Sequence, residues 1–146
     1  MKTVVFDIDG TLADNSHRQN LAPPKGPDWD EFFAEMVNDL PNQPIIDLYQ
    51  TIKASGKYSC VLVSGRPDNY RKHTEEWLAK YELEYVLLCM RKVGDRRPDY
   101  DVKKEILDDL LGKGYEIAFV VDDREETVRM WRDNGITCLQ CADHDF

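Results

Sequence analysis

Short apolar runs and amphipathic stretches alternate along this chain. Val4, Val5 and Phe6, then residues 58–63, 84–90, 115–121 and 136–140, are β-prone runs with few polar interruptions. Runs this short predict strands buried on both faces, as in a parallel sheet. Between them, apolar residues recur at helical spacing. Phe32, Phe33, Met36, Val37 and Leu40 predict a helix with Asp28 as N-cap and Glu31 at the capping-box position, ended by Pro41. Pro44 fits the first turn of the next helix, which carries Ile45, Leu48, Tyr49 and Ile52 and stops at Gly56. Asp68 is placed to cap a helix through Tyr81, with Tyr70, Thr74, Trp77 and Leu78 on one face. Asp101 is placed to cap a fourth helix, with Val102, Ile106 and Leu110 inward and glycines at 112 and 114 ending it. Residues 125–134 predict the last helix, with Val128 and Trp131 inward. Five strand–helix units imply one α/β layer domain over residues 1–146, with no internal repeat, linker or second domain.

Composition narrows the class. With 146 residues and 42% hydrophobic content, the chain suits one soluble globular domain. No apolar run approaches the ~20 residues needed to span a bilayer, and the immediate entry into a strand leaves no room for a signal peptide. The formal net charge of −9 argues against broad wrapping of a nucleic-acid backbone, but not against one phosphorylated end in a locally basic pocket. Cys60 and Cys89 fall in buried strands as small hydrophobes. Cys138 and Cys141 have metal-ligand spacing, but no second pair follows, so they read as reduced strand-end thiols. This usage fits the cytoplasm.

The chemistry-bearing residues collect at predicted strand ends. Asp7 and Asp9 stand one residue apart where the first strand stops, and Gly10 permits a sharp exit. In extended chain they face the same side, at the sheet edge where open α/β sheets place their sites. The second strand runs into Ser64 and Gly65, a hydroxyl with nearby backbone N–H groups suited to phosphate. The fourth delivers Asp122 and Asp123, adjacent acids that are costly to bury unless they meet a cation. After the third strand comes the basic stretch of the chain, with Arg91, Lys92, Arg96 and Arg97. The stretch after Leu12, with the Pro/Gly-rich piece at 23–27, reads as a loop.

The string Asp7-Ile8-Asp9-Gly10-Thr11-Leu12 resembles the D-x-D-G-T signature of the haloacid-dehalogenase-like phosphotransferases. Val63-Ser64-Gly65-Arg66, Cys89-Met90-Arg91, Gly94-Asp95, Val102-Lys103-Lys104-Glu105-Ile106, Val121-Asp122-Asp123-Arg124, Met130-Trp131-Arg132 and the final Asp145-Phe146 follow in one order. Together they resemble the phosphatase domains of the bacteriophage type of polynucleotide kinase–phosphatase over nearly the whole chain. There is no G-x-x-x-x-G-K-[ST] phosphate loop, so the resemblance is to the phosphatase half, as a free-standing version.

That resemblance implies a Rossmann-like α/β domain with a five-stranded, mostly parallel sheet in the order 3-2-1-4-5, helices on both faces and a minimal cap. It implies that Asp7 attacks phosphorus and that Asp9 is the general acid/base, kept protonated by its like-charged neighbour. It implies Mg²⁺ on Asp7, the Asp9 carbonyl and the Asp122/Asp123 pair, with Asp123 favoured as direct ligand. Thr11, Ser64, Gly65, Arg66, Arg91, Lys103 and Arg124 would bind substrate, with Lys104 the rival to Lys103. The resemblance also puts a small flap over the site at the loop after Leu12, from which His17 and Arg18 would reach the substrate. The expected activity is removal of 3′-phosphates from polynucleotide ends or nucleotides. A small-molecule phosphatase such as a 5′-nucleotidase is the alternative within the same chemistry. A non-catalytic phosphate-binding module is the alternative outside it.

Overall fold

The computed structural model describes residues 1–22 and 29–144. The expected cap at Asp28, the 23–27 loop and the final Asp145-Phe146 lie outside these residues. In chain order the elements are strands β1 (Lys2–Phe6) and β2 (Ala13–Asp14), helix α1 (Trp29–Ala34), strand β3 (Leu40–Pro41) and helix α2 (Gln43–Ala54). Then come β4 (Tyr58–Pro67), α3 (Arg71–Lys80), β5 (Leu87–Arg91), α4 (Asp99–Gly112), β6 (Ile117–Asp122), α5 (Glu125–Asp133) and β7 (Cys138–Gln140).

The main sheet runs β5-β4-β1-β6-β7, which is the expected order for its five strands, and all four pairings are parallel. Period-two alternation explains why these runs are apolar throughout. Val4, Phe6, Cys60 and Leu62 face one side, where they meet Tyr49 of α2 and Trp77 and Leu78 of α3. Val5, Val61, Val63 and Val120 face the other, against Leu107 and Leu110 of α4 and Val128 and Trp131 of α5. With helices on both faces, the polar business of the strands is confined to their ends. No helix among the described residues is long and apolar enough to cross a membrane.

Three elements depart from expectation. The helix predicted to reach Leu40 stops at Ala34 and tightens into a 3₁₀ turn over Glu35–Asn38. Leu40, expected in the apolar stripe, lies in β3 with 66% of its surface exposed. The cause is the antiparallel pairing of β3 with β2, Ala13 opposite Pro41, which pulls the chain straight to form a small flap beside the sheet edge. Asp68 does not cap its helix; its carboxylate accepts the Val93 N–H at 3.0 Å, and Asp68–Tyr70 form a 3₁₀ turn before α3. The fourth helix begins at Asp99, two residues before the expected cap. That shift moves Asp99 one helical turn before Lys103, with consequences for the site.

Candidate active site

The site lies where β1, β4 and β6 end side by side. Asp7 continues β1 by one residue, its N–H bonded to the Val121 carbonyl at 3.0 Å. The chain then turns sharply, with the N–H groups of Thr11 and Ala13 both bonded to the Ile8 carbonyl. Gly10 makes the turn with φ of +84°, and a Cβ there would lie 2.2 Å from an Asp123 oxygen, so both backbone and space require glycine. Ile8 is buried in the core while Asp7 and Asp9 flank it toward the sheet edge.

Around Asp7 the charges form one buried cluster. Lys103 projects from the first turns of α4, and its Nζ donates to Asp7 Oδ1 at 2.8 Å and Asp122 Oδ2 at 3.0 Å. It also lies 3.2 Å from Asp99 Oδ2. Lys104 instead pairs with Asp108 on the surface, which separates it from its rival. Burial alone would depress the Lys103 pKa, but Asp122, Asp7 and Asp99 more than offset it, and the ammonium is held charged. The Asp7 carboxyl is pushed up by burial and then by Asp122, with Lys103 opposing. Asp122 is likewise raised by burial against Lys103. For Asp99, burial raises the pKa, but the Lys103 and Arg124 charges and two hydrogen bonds bring it below its ordinary value.

The carboxylate oxygens of Asp7, Asp122 and Asp123 approach one another within 4.8 Å. Asp122 is already supplied with donors, from the Asp123 N–H at 2.8 Å, Lys103, and Trp131 Nε1 at 3.1 Å. Asp7 Oδ2 and Asp123 Oδ1 share the single hydroxyl hydrogen of Thr11, at 3.0 and 3.2 Å. Two buried carboxylates facing one proton are a hard, all-oxygen setting of the kind a divalent cation fits. His144 Nδ1 touches the other Asp123 oxygen at 2.5 Å. Cys141 reaches the Thr11 hydroxyl at 3.6 Å, and burial pushes its thiol up to about 11.

Asp9 sits in a different environment, and its expected protonation is corrected. Arg66 donates to both its oxygens, Nη2 to Oδ1 at 2.7 Å and Nε to Oδ2 at 3.0 Å. Arg18 adds a 2.6 Å bond to Oδ1. Burial pushes Asp9 up, but the Arg66 and Arg18 charges and hydrogen bonds outweigh it and hold the carboxyl well below the usual range. The neighbour that matters to Asp9 is a pair of guanidiniums, not Asp7. Both arginines are anchored in turn by Asp39, which is buried between them. Arg18 grips it with Nε and Nη2, each at 2.8 Å, Arg66 lies 3.5 Å away, and His17 Nε2 is at 2.7 Å.

These contacts revise several expected roles. Arg66 is fully buried, and its remaining Nη1 is taken by Thr74 and Met36, so it orients Asp9 and presents no fork to a substrate. Arg91 donates to the Gly65, Asp95 and Arg97 carbonyls and braces the basic loop against β4. Arg18 and His17, expected to reach the substrate from the flap, close on Asp39 and Asp9 instead. Ser64 is buried, its oxygen accepting the Arg66 N–H at 3.0 Å. Arg124 stands at the start of α5, half-buried, within electrostatic range of Asp99. A Cβ on Gly65 would fall 2.1 Å from Asp99 Oδ1. Gly65→Ala is therefore expected to cost about 1–3 kcal/mol, the scale of overpacking, and to lower kcat/KM by displacing Asp99 from Lys103. Urea unfolding and kinetics on the same preparation check this; wild-type stability would show that Asp99 moves aside freely.

Asp39, Asp99 and His144 went unrecognised in the sequence. Asp99 had a readable signal, an acid four residues before Lys103 on one helix face, hidden by starting that helix too late. Asp39 had none, since a lone acid before Leu40-Pro41 resembles any surface turn.

The family model described as the polynucleotide kinase PNKP phosphatase domain matches residues 1–146. The chain belongs to this family. It is a phosphatase, and structural likeness places it on the haloacid-dehalogenase-like fold: a Streptococcus pneumoniae protein of that class superposes with a TM-score of 0.64 at 17% identity, covering 96% of this chain and 84% of that one. A chain of the Pnkp1/Rnl/Hen1 RNA repair complex matches with a TM-score of 0.84 and 35% identity over 99% of this chain and 43% of its own. A second structure of that complex gives 0.85 and 36%, covering 99% and 47%. A protein of Autographa californica nuclear polyhedrosis virus, described as a bifunctional polynucleotide kinase/RNA ligase, is 26% identical over 146 residues, 99% of this chain and 20% of that one. The chain thus spans less than half the length of the RNA repair complex chains and of the viral protein.

Proposed function

We propose that this phosphatase removes 3′-phosphates from polynucleotide ends or nucleotides through a phosphoryl group carried on Asp7. The observation that carries the reading is the separation of two carboxylates by environment. Asp7 lies against Lys103 and the acidic pair, where a phosphoryl group and a cation would be held. Asp9 is fixed by two arginines beside it.

In the first half, an Asp7 oxygen attacks phosphorus, the bond from phosphorus to the sugar oxygen breaks, and that oxygen takes a proton from Asp9. In the second, Asp9 takes a proton from water as the water oxygen attacks phosphorus, and the Asp7–phosphorus bond breaks. The proton given to the leaving oxygen in the first half is balanced by the one taken from water in the second. The arginines favour ionised Asp9, which suits the water-activating half. Lys103 and Ser64 would hold phosphoryl oxygens, with Thr11 aligning Asp7 and Gly65 leaving room for close approach. Arg124 would meet the substrate side of Asp99, and Arg91 would shape the pocket through the loop it braces.

Mg²⁺ would be held by Asp7, the Asp9 carbonyl and Asp123, with Asp122 oriented by Lys103 and Trp131. When bound, it would neutralise the repulsion between an anionic nucleophile and an anionic phosphate. Activity should vanish in EDTA and return with Mg²⁺, because hard oxygen ligands suit that ion. Asp123→Ala should raise the Mg²⁺ requirement or abolish turnover. Full activity in chelator, or rescue by Zn²⁺ alone, would count against the site.

The relatives' descriptions, RNA repair and polynucleotide kinase/RNA ligase, support nucleic-acid ends as the substrate. The net charge of −9 favours the small-molecule alternative, since few phosphates could be accommodated beyond the reacting one. Phosphate release from matched 3′- and 5′-phosphorylated oligonucleotides of one to eight nucleotides decides between them. We expect preference for 3′-ends, gain in kcat/KM ending by about three nucleotides, and a shallow salt dependence. A clear preference for 5′-mononucleotides would promote the nucleotidase reading.

A further inference from the structure

We propose that Trp29, Phe33 and Tyr70 form a stacking platform for the bases of the leaving strand, next to the phosphate that Asp7 attacks. This rests on the 3′-end reading above and adds how the nucleotide is gripped. Trp29 is 49% exposed, whereas the other two tryptophans, Trp77 and Trp131, are 3% and 0% exposed. Trp29 stacks on Phe33 with ring centroids 5.9 Å apart and planes 25° off parallel. Phe33 continues to Tyr70 at 5.6 Å, and Tyr70 to His73 at 6.2 Å. Buried Phe32 supports the row from beneath, edge-on to Trp29 at 5.3 Å and Phe33 at 5.1 Å. Phe32 and Met36 are buried on this side, whereas Phe33 and Tyr70 are half-buried and Trp29 is exposed.

The row is joined to the site at two points. Beneath it the Arg18 guanidinium lies 4.4 Å over the Phe32 ring and donates to the Phe32 carbonyl at 3.2 Å. Along it the Tyr70 carbonyl accepts the Thr74 hydroxyl, whose oxygen accepts Arg66 Nη1. These are the arginines that hold Asp9. In a 3′-phosphate ester the leaving atom is the sugar oxygen, so sugar and base must extend from phosphorus on the Asp9 side, toward these rings. Asp30 and Glu31, exposed in the first turn of α1, give a phosphate backbone no partner. Affinity there would have to come from base faces, and every base has one.

The test couples a protein change to a substrate change. kcat/KM is measured for wild type, Trp29→Ala and Phe33→Ala on a 3′-phosphorylated trinucleotide whose terminal nucleoside carries adenine or is abasic. Either substitution, or loss of the base, should lower kcat/KM about tenfold, on the scale of base–aromatic stacking. Combining them should lower it no further. Additive losses would overturn the platform. Tryptophan emission gives a second reading, with the Trp29→Ala protein measured alongside to subtract Trp77 and Trp131. In the Asp7→Asn protein the adenine trinucleotide should quench it and the abasic one should not, and equal or absent quenching would also overturn the proposal. A wild type that spares 3′-ends would remove the function reading and this inference together. Additivity on well-hydrolysed 3′-ends would remove this inference alone.

Discussion

Asp7→Asn is expected to lower kcat by at least ~10³-fold, the scale of losing a group on which both chemical steps depend. The substitution keeps the shape but removes the attacking charge and one of the facing carboxylates at the candidate cation site. Asp122 and Asp99 still face Lys103 in the variant, so any fall in its urea midpoint should be small beside the loss of turnover. Wild type quenched during turnover should carry phosphate on Asp7, or bind a beryllium-fluoride mimic there. A labelled intermediate on any other side chain would overturn the assignment, and so would a variant retaining a tenth of wild-type turnover.

Asp39→Ala is expected to be the most damaging change away from the reacting atoms. Asp39 is 2% exposed and carries bonds from Arg18 and Arg66, while its carbonyl accepts Trp77 Nε1 at 2.9 Å. Removing its carboxylate leaves two buried guanidiniums with Asp9 as their remaining carboxylate. Breaking a buried pair by deleting one partner costs about 3–5 kcal/mol, against a total stability of about 5–15 kcal/mol for an ordinary domain. The urea midpoint should fall accordingly. At temperatures where the variant stays folded, kcat should fall more than KM rises, because the change disorders Asp9 and not the phosphate contacts. A stable variant with wild-type kcat would show that Asp9 needs no anchor beyond its own arginines.

The chain announces much of this architecture locally. Apolar runs at period two, helical stripes at period 3.6, and Gly10 after Asp7-Ile8-Asp9 are signals within a few residues of one another. They sufficed for the five main strands, their order by resemblance, and the candidate nucleophile Asp7. Boundaries suffered where a distant contact intervened. The β2–β3 pairing rewrote the end of the first helix at Leu40, and Val93 took the carboxylate of Asp68 from its expected cap.

The residue types at the site were legible as well: acids at two strand ends, a Ser-Gly turn, a lysine opening a helix and scattered arginines. Which cation meets which anion was not. Asp9 and Arg66 are 57 positions apart, and Lys103 and Asp7 are 96 apart. Side-chain pairing at that range depends on how the sheet brings its ends together, and no local pattern encodes it. The sequence by itself determined the strands, the helices and the inventory of charges. Only the tertiary structure decided that Arg66 and Arg18 belong to Asp9, that Asp39 anchors both, and that Lys103 rather than Lys104 meets Asp7. The reason is physical: a buried charge takes whichever partner the packed backbone sets within hydrogen-bonding distance, and burial makes that choice decisive.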